Sequence, residues 1–149
     1  MDTLADLYQE VVFDHYRHPR NFGRLEHADH TAAGHNPLCG DQVTVFINTE
    51  GGVVTDIRFE GQGCAIATAS ASLMTEAVKG RPVSEVEALF KRFHTLLTDR
   101  ASNEDDEELG KLAALAGVRE FPVRVKCATL AWHTLEHALH DNPEPAVTE

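Results

Sequence analysis

Residues 39–64, CGDQVTVFINTEGGVVTDIRFEGQGC, decide the fold because they predict a β-hairpin with a cysteine at each end. Apolar and polar side chains alternate over residues 42–48 and again over residues 53–60, and Glu50-Gly51-Gly52 between the two runs is typical of a turn. The two ends of a hairpin are neighbours in space. The hairpin therefore brings Cys39 and Cys64 together.

The alternation also predicts which side chains share a face of the hairpin. In the first strand, one face carries Val43, Val45 and Ile47. In the second strand, one face carries Val53, Thr55, Ile57 and Phe59. Val54 is expected on the opposite face of that strand.

Helical spacing of apolar residues predicts five helices around the hairpin. They span residues 4–17, 65–79, 83–98, 102–117 and a last helix that starts at Pro122. His18-Pro19 ends the first helix because proline disfavours the α region in the residue before it. Gly80 and Gly117 are expected to end the second and fourth helices. Part of residues 27–36 is predicted to be a short strand, and residues 141–149 a frayed tail.

The composition indicates a single domain with a real core. The chain has 149 residues, of which 42% are hydrophobic, and its formal net charge of −11 argues against binding to nucleic acid or to an anionic membrane. No apolar run approaches the ~20 residues of a membrane-spanning helix. The acidic segment at residues 1–6 does not resemble a signal peptide, so the cytoplasm is the expected location.

All three cysteines of the chain occupy positions that favour metal binding. Cys39 and Cys64 lie beside glycines, where core residues are rare, and Cys127 falls in the first turns of the last predicted helix. With Asp41 they offer three thiolates and one carboxylate, which suffice for a tetrahedral Zn²⁺ site. The alternative for each cysteine is a small buried apolar residue. The cysteine spacing is not that of a zinc finger.

The residues next to the cysteines can tune their reactivity. Arg124 and Lys126 flank Cys127 and would lower its pKa or orient an anionic group. Cys64 opens a predicted helix, whose positive end favours the thiolate.

The histidines and the acidic run have simpler interpretations. His15 and His18 close the first predicted helix, where imidazolium suits the helix dipole, so we expect them to cap it. Three further histidines share one face of the last helix: His133, His137 and His140. They could bind metal, but polar residues beside an apolar stripe are usually solvated. The acidic run at residues 104–108 is interpreted as a solvated helix start.

Four segments spread over most of the chain carry motifs that are specific in combination. They are residues 15–21 (HYRHPRN), 36–41 (NPLCGD), 59–72 (FEGQGCAIATASAS) and 124–132 (RVKCATLAW). Together they resemble the U-type iron–sulfur scaffold family, and within it the SufU-type branch.

The resemblance implies a compact α+β domain over residues 1–149, with a small antiparallel sheet of about three strands packed against several helices, as in IscU-like proteins. It implies that four residues form one metal site: Cys39, Asp41, Cys64 and Cys127. It also implies a SufS-type, pyridoxal-phosphate-dependent cysteine desulfurase as partner, and downstream iron–sulfur assembly proteins as recipients.

Lys126 decides the branch, because IscU-type scaffolds carry a histidine immediately before the last cysteine. A longer segment between Cys64 and Cys127, which we assign to residues 83–117, also looks SufU-type. These features favour a zinc-dependent sulfur acceptor that takes persulfide sulfur from the desulfurase. Cys39 is the expected acceptor because its glycine-flanked loop can swing out.

Other assignments stay open beside this one. Cys127 is the second choice of acceptor, and Arg124 is expected to orient the acceptor or to contact the partner. One alternative function is a scaffold on which a [2Fe–2S] or [4Fe–4S] cluster is assembled and then transferred. Another is a structural zinc domain that acts as an adaptor.

Overall fold

The hairpin is the centre of the sheet in a computed structural model of the protein, which describes residues 4–99 and 109–148. Four strands form the sheet: β1 (His30–Asn36), β2 (Asp41–Glu50), β3 (Val53–Gln62) and β4 (Ala146–Val147). Their order is β3-β2-β1-β4, with β1–β2 and β2–β3 antiparallel and β1–β4 parallel. The fold is α+β, as predicted.

The helices agree with the predicted spacing, with one exception. The α-helices are α1 (Leu4–Arg17), α2 (Ala65–Val78), α3 (Val83–Thr98) and α4 (Pro122–Leu139). The predicted helix over residues 102–117 is wrong in its second half, because Gly110–Glu120 is a 3₁₀ helix that passes through Gly117. Residues 102–108, with the acidic run, lie outside the described part of the chain.

A β-bulge changes which residues of the second hairpin strand share a face of the sheet. Asn48 pairs with Asp56, whereas Thr49 pairs with Val54, so Thr55 is an extra residue in β3. An extra residue inverts the alternation on one side of it. Val54 is therefore completely buried, on the same side as Ile57, and the prediction that it lies opposite is wrong.

The small side chains at the start of α2 allow close packing against α4. Residues 69–72 (ASAS) are all buried, and the Ser70 hydroxyl donates a hydrogen bond to the Ala128 carbonyl oxygen. Trp132 of α4 is fully buried and stacks on Phe90 of α3, with ring centroids 5.6 Å apart. The core therefore lies between the sheet and the helices, with α4 at its centre.

The prediction of a frayed tail is wrong for the end of the chain. Ala146 and Val147 of β4 pair in parallel with Gly34 and His35 of β1, and Ala146 is buried. The Thr148 N–H donates to the His35 carbonyl oxygen at 3.3 Å. Among residues 4–99 and 109–148, no helix is both long enough and apolar enough to cross a membrane.

His15 is buried and does not cap α1 as predicted. Its Nδ1 lies 2.7 Å from the Ser72 hydroxyl of α2, and its Nε2 lies 3.5 Å from Glu76 Oε1. The ring is 1% exposed, and its pKa is lowered by burial and by the nearby Arg20. His15 therefore links α1 to α2. This role could not be predicted without knowing that the two helices pack together.

Candidate metal centre

Cys39 lies on an exposed turn between β1 and β2. The turn is held by Asn36, whose carbonyl oxygen accepts the N–H groups of Cys39 at 3.3 Å and of Gly40 at 2.9 Å. Gly40 has a φ of 71°, in the left-handed region that glycine occupies without Cβ strain. Cys39 is thus presented to solvent from a turn with defined hydrogen bonds.

Asp41 is buried at the start of β2 and points toward the N-terminus of α2. Its Oδ1 accepts the Cys64 N–H at 2.8 Å, and its Oδ2 lies 3.8 Å from Cys64 Sγ. Gly63 leaves room for this carboxylate, because a Cβ at that position would lie 2.6 Å from Asp41 Oδ1. Asp41 can therefore occupy this position only because residue 63 is a glycine.

Cys64 is the N-cap residue of α2, as its place before the helix predicts. Its Sγ accepts the Ala67 N–H at 3.4 Å. A hydrogen bond from Cys127 lowers the pKa of Cys64 to about 7 against the effect of its half-buried position, and backbone N–H groups of the first turn add to this. The start of α2 thus supports a thiolate at this position.

Cys127 is the most buried of the three thiols and lies in the second turn of α4. Its Sγ is 3.4 Å from Cys39 Sγ and 3.6 Å from the Asn36 side-chain nitrogen. Hydrogen bonding to Cys64 and then burial raise the pKa of Cys127, so the prediction that Arg124 and Lys126 lower it is wrong. Binding of a cation would favour the deprotonated thiolate.

Three of the four predicted metal ligands lie close enough together to bind one ion. One ligand atom each from Cys39, Asp41 and Cys127 lies within 4.8 Å of the others, a grouping that no other His, Cys, Asp or Glu triad matches within the described residues. The predicted ligand Cys64 is not part of that group, although its Sγ lies 3.8 Å from Asp41 Oδ2. Two thiolate sulfurs on one tetrahedral Zn²⁺ lie about 3.8 Å apart, close to the Cys39–Cys127 spacing. The group can therefore hold a metal after small adjustments.

Two further residues lie beside the site, and the sequence pattern assigns neither of them a role. Asn36 is fully buried and touches Cys127, although its motif stands out only for the cysteine that follows. Tyr8 of α1 is half-buried, and burial raises its pKa while Arg124 opposes the rise and Cys64 adds to it. Nothing in the local sequence around Tyr8 signals that α1 reaches the cysteines.

The cationic neighbours of Cys127 lie at the start of α4. The exposed Arg124 guanidinium stacks over the Phe121 ring, 4.4 Å from its centroid. Lys126 is partly exposed beside Cys127. The role of Arg124 toward the acceptor or a partner stays a prediction.

The three histidines of α4 lie apart from the cysteines and make separate contacts. His133 packs edge-on against Phe90, and burial lowers its pKa. His137 Nδ1 lies 2.8 Å from the Glu144 carbonyl oxygen, and His140 pairs with Glu87 at 3.0 Å. His133 is therefore packed against an aromatic ring, and the prediction that it is solvated is wrong, whereas His140 is exposed as predicted.

The chain matches the family model described as the NifU-like N terminal domain over residues 7–144. It is 41% identical to the zinc-dependent sulfurtransferase SufU of Bacillus subtilis, and the match covers 90% of each chain. It is 39% identical to the iron–sulfur cluster assembly scaffold protein IscU of Streptococcus pyogenes, over 93% of this chain and 86% of that one.

Solved structures agree with the fold. The crystal structure of the FiSufU protein from Fervidobacterium islandicum superposes with a TM-score of 0.82 at 34% identity, covering 89% of this chain and 96% of that chain. A NifU-like protein from Brucella abortus, N-terminal part, superposes with a TM-score of 0.82 at 24% identity, covering 93% and 96%, and so supports the fold alone.

Proposed function

The chain belongs to the NifU-like N terminal domain family and acts in iron–sulfur cluster assembly, and from this premise we propose that it is a zinc-dependent sulfur acceptor. It takes persulfide sulfur from a pyridoxal-phosphate-dependent cysteine desulfurase and stimulates that enzyme's turnover. Cys39, Asp41, Cys64 and Cys127 hold the metal. We place the reaction in the cytoplasm, whose reducing conditions keep three unpaired cysteines as thiols.

The observation that carries this proposal is the different exposure of three neighbouring thiols. Cys39 is exposed, Cys64 is partly buried and Cys127 is buried. The sulfurs of Cys64 and Cys127 accept N–H groups from Ala67 and Asn36. Within residues 4–99 and 109–148, no N–H donor reaches the Cys39 sulfur, which lies 3.4 Å from the Cys127 sulfur, and Cys39 is the most accessible of the three thiols.

The transfer itself is a thiolate–persulfide exchange. The Cys39 thiolate attacks the outer sulfur of the desulfurase persulfide, and a new S–S bond forms on Cys39. The old S–S bond breaks, and its electron pair leaves with the desulfurase cysteine as a thiolate. Cys39 then carries the persulfide, and no net oxidation or reduction takes place.

The other residues of the site prepare Cys39 for this attack. Bound Zn²⁺ supplies charge that keeps the thiols deprotonated at neutral pH. Asp41 and Cys64 are joined by the N–H···O bond of 2.8 Å and stay in place while the Cys39 turn moves outward. Arg124 and Lys126 supply positive charge beside an anionic persulfide.

The proposed acceptor is tested by cysteine desulfurase turnover with Cys39→Ala and Cys127→Ala variants. We expect Cys39→Ala to abolish stimulation and Cys39 to carry the added sulfur in the wild-type protein, as seen by mass spectrometry of peptides. Metal retention by each variant is measured in parallel, because loss of the metal would mimic loss of the acceptor. Full stimulation by Cys39→Ala removes Cys39 from this role.

The scaffold function is the second candidate, supported by the similarity to IscU scaffold proteins. Three cysteines and an aspartate can ligate a cluster, although four thiolates are usual. Anaerobic reconstitution with iron and sulfide, followed by metal analysis, separates the two. We expect zinc to be retained and no cluster absorbance to appear; displacement of zinc by a stable cluster favours the scaffold.

A structural zinc adaptor would behave differently again, because closed zinc sites alkylate slowly. Limited alkylation of the zinc-loaded protein is therefore informative. Fast labelling of Cys39 argues against a purely structural site, and uniformly slow labelling of all three cysteines argues for it.

A further inference from the structure

Asn36 links the exposed turn to the buried thiol of the site. It is the last residue of β1 and is 0% exposed. Its carbonyl oxygen accepts two N–H groups of the turn, those of Cys39 and Gly40. Its side-chain Oδ1 accepts the Leu38 N–H at 3.1 Å, and its Nδ2 donates to Cys127 Sγ at 3.6 Å.

The orientation of the Asn36 amide follows from these contacts. Oδ1 faces a backbone N–H, which only an acceptor can satisfy, so the NH₂ group must face the sulfur. The turn that carries Cys39 and the sulfur of Cys127 are thus held by opposite ends of one buried amide.

An N–H donor changes what a sulfur can do. A hydrogen bond to a thiolate withdraws charge from it, which makes the thiolate a poorer nucleophile, and such outer contacts orient metal ligands. Cys127 is buried, but its Sγ lies only 3.4 Å from Cys39 Sγ, so an electrophile that reaches Cys39 also comes close to Cys127.

We propose that Asn36 is a positioning residue that determines which thiol accepts sulfur, by holding Cys127 in the site through its Nδ2–H while its oxygen atoms shape the turn that presents Cys39. This inference rests on the proposed sulfur-acceptor function. It assigns Asn36 no contact with the substrate.

Asn36→Ser is the main test variant. A serine hydroxyl at this position can still accept the N–H two residues later, as in an ST turn, but it is too short to reach Cys127. Asn48→Ser is the matched control, because Asn48 also makes a side-chain contact with backbone, to the Asp29 N–H, at the far end of β2. Asn36→Asp, nearly the same shape, is the second variant if Asn36→Ser does not fold.

The first measurement is the partition of a limiting alkylating reagent between two cysteines of the zinc-loaded protein, read by peptide mass spectrometry. In wild type and in Asn48→Ser we expect Cys39 to take nearly all of the label. In Asn36→Ser we expect the Cys127-to-Cys39 labelling ratio to rise roughly tenfold, the effect of losing one hydrogen bond to a charged group.

The second measurement is the sulfur-to-metal charge-transfer band of the Co²⁺-substituted protein. Loss of an N–H donor to a ligating sulfur shifts this band to lower energy, whereas a purely structural role of Asn36 leaves it unmoved. An unchanged labelling ratio and an unchanged band in a folded, metal-bound Asn36 variant overturn the proposal.

The outcome is separable from that of the proposed function. If the wild-type protein fails to stimulate the desulfurase but the Asn36 variants still redirect alkylation, the sulfur-acceptor function is wrong, and only the control of thiol reactivity by Asn36 stands. If stimulation is present and neither measurement responds to Asn36, only the positioning role is wrong.

Discussion

Gly63 lies so close to Asp41 that any side chain at this position would disturb the candidate metal site. A methyl group at this position would lie 2.6 Å from Asp41 Oδ1, so Gly63→Ala must displace the carboxylate that also binds the Cys64 N–H. We expect the variant to fold but to lose at least tenfold in metal affinity, in the range seen when groups that support metal ligands are removed. Competition with a coloured chelator measures this, and wild-type affinity in Gly63→Ala would contradict it.

Single residues of the site also differ in how far the sequence alone predicts their neighbours. The contact between Asp41 and Cys64 follows from the hairpin, because local alternation and a glycine turn bring its two ends together. Cys127 and Asn36 are in contact although they lie 91 residues apart in the sequence, and a local sequence pattern cannot predict such a contact. The role of Cys127 follows from a family resemblance, whereas the role of Asn36 is visible only from the contact.

Between elements, Gly34 of β1 allows the sheet to approach α4. A Cβ at this position would collide with the Thr134 hydroxyl oxygen and would lie 3.2 Å from Leu130 Cδ1. We expect Gly34→Ala to lower the free energy of unfolding by about 2 kcal/mol through overpacking, as measured by denaturant unfolding.

Gly34→Ala and Gly63→Ala form a matched pair, since the same methyl group is added in two places. With metal removed from all samples, Gly34→Ala should be less stable than wild type, whereas Gly63→Ala should keep wild-type stability. In metal titrations, folded Gly34→Ala should bind metal as wild type does, whereas Gly63→Ala should bind it more weakly. If both variants lose metal-free stability and metal affinity together, the two contacts are not independent.

The contact between α1 and α2 predicts a dependence of stability on pH. Because the pKa of His15 is lowered in the folded state, the unfolded chain takes up a proton first as the pH falls below about 6.5, and stability falls with it. The slope contributed by His15 is at most about 1.4 kcal/mol per pH unit, and it ends at the folded-state pKa.

This His15 contribution is measured by comparing wild type with His15→Asn, both metal-loaded, in urea unfolding at several pH values. Asparagine keeps a polar group near Ser72 but cannot titrate. We expect the variant to lose less stability than wild type between neutral and mildly acidic pH, although it starts lower. If the stability of the two proteins falls equally with pH, the pKa of His15 is the same in the folded and unfolded states.

The elements themselves are predictable where their signal is local. The amphipathic spacing of α3 and the small-residue run of α2 are visible in the sequence because helix formation depends on nearby residues. The sequence does not predict the bulge at Thr55. The apolar residues still alternate on both sides of it, and the extra residue only changes which of them share a face of the strand. The parallel pairing of β4 is missed because its partner lies more than a hundred residues earlier.

At the scale of the whole molecule, the candidate metal joins three separate parts of the fold. Cys39 and Asp41 flank the β1–β2 turn, Cys64 begins α2 and Cys127 lies in α4. A ligand that binds only the folded state stabilises it, by about 4 kcal/mol at a thousandfold excess over its dissociation constant. We expect chelator-treated protein to melt at a clearly lower temperature than zinc-loaded protein.

The fluorescence of Trp132 reports this transition, since its side chain is fully buried in the core. The difference between loaded and metal-free protein should shrink as the pH falls, because the ligand thiolates must be deprotonated to bind. Identical melting with and without metal at neutral pH would show that the site is not coupled to the fold.

The parallel docking of β4 has a consequence for how molecules of this protein meet one another. An unpaired strand edge offers backbone N–H and C=O groups to any other strand, which is a route to aggregation. Ala146 and Val147 occupy the outer edge of β1 at Gly34 and His35. β4 thus keeps that part of the sheet from being extended by a neighbouring molecule, next to the turn that carries Cys39.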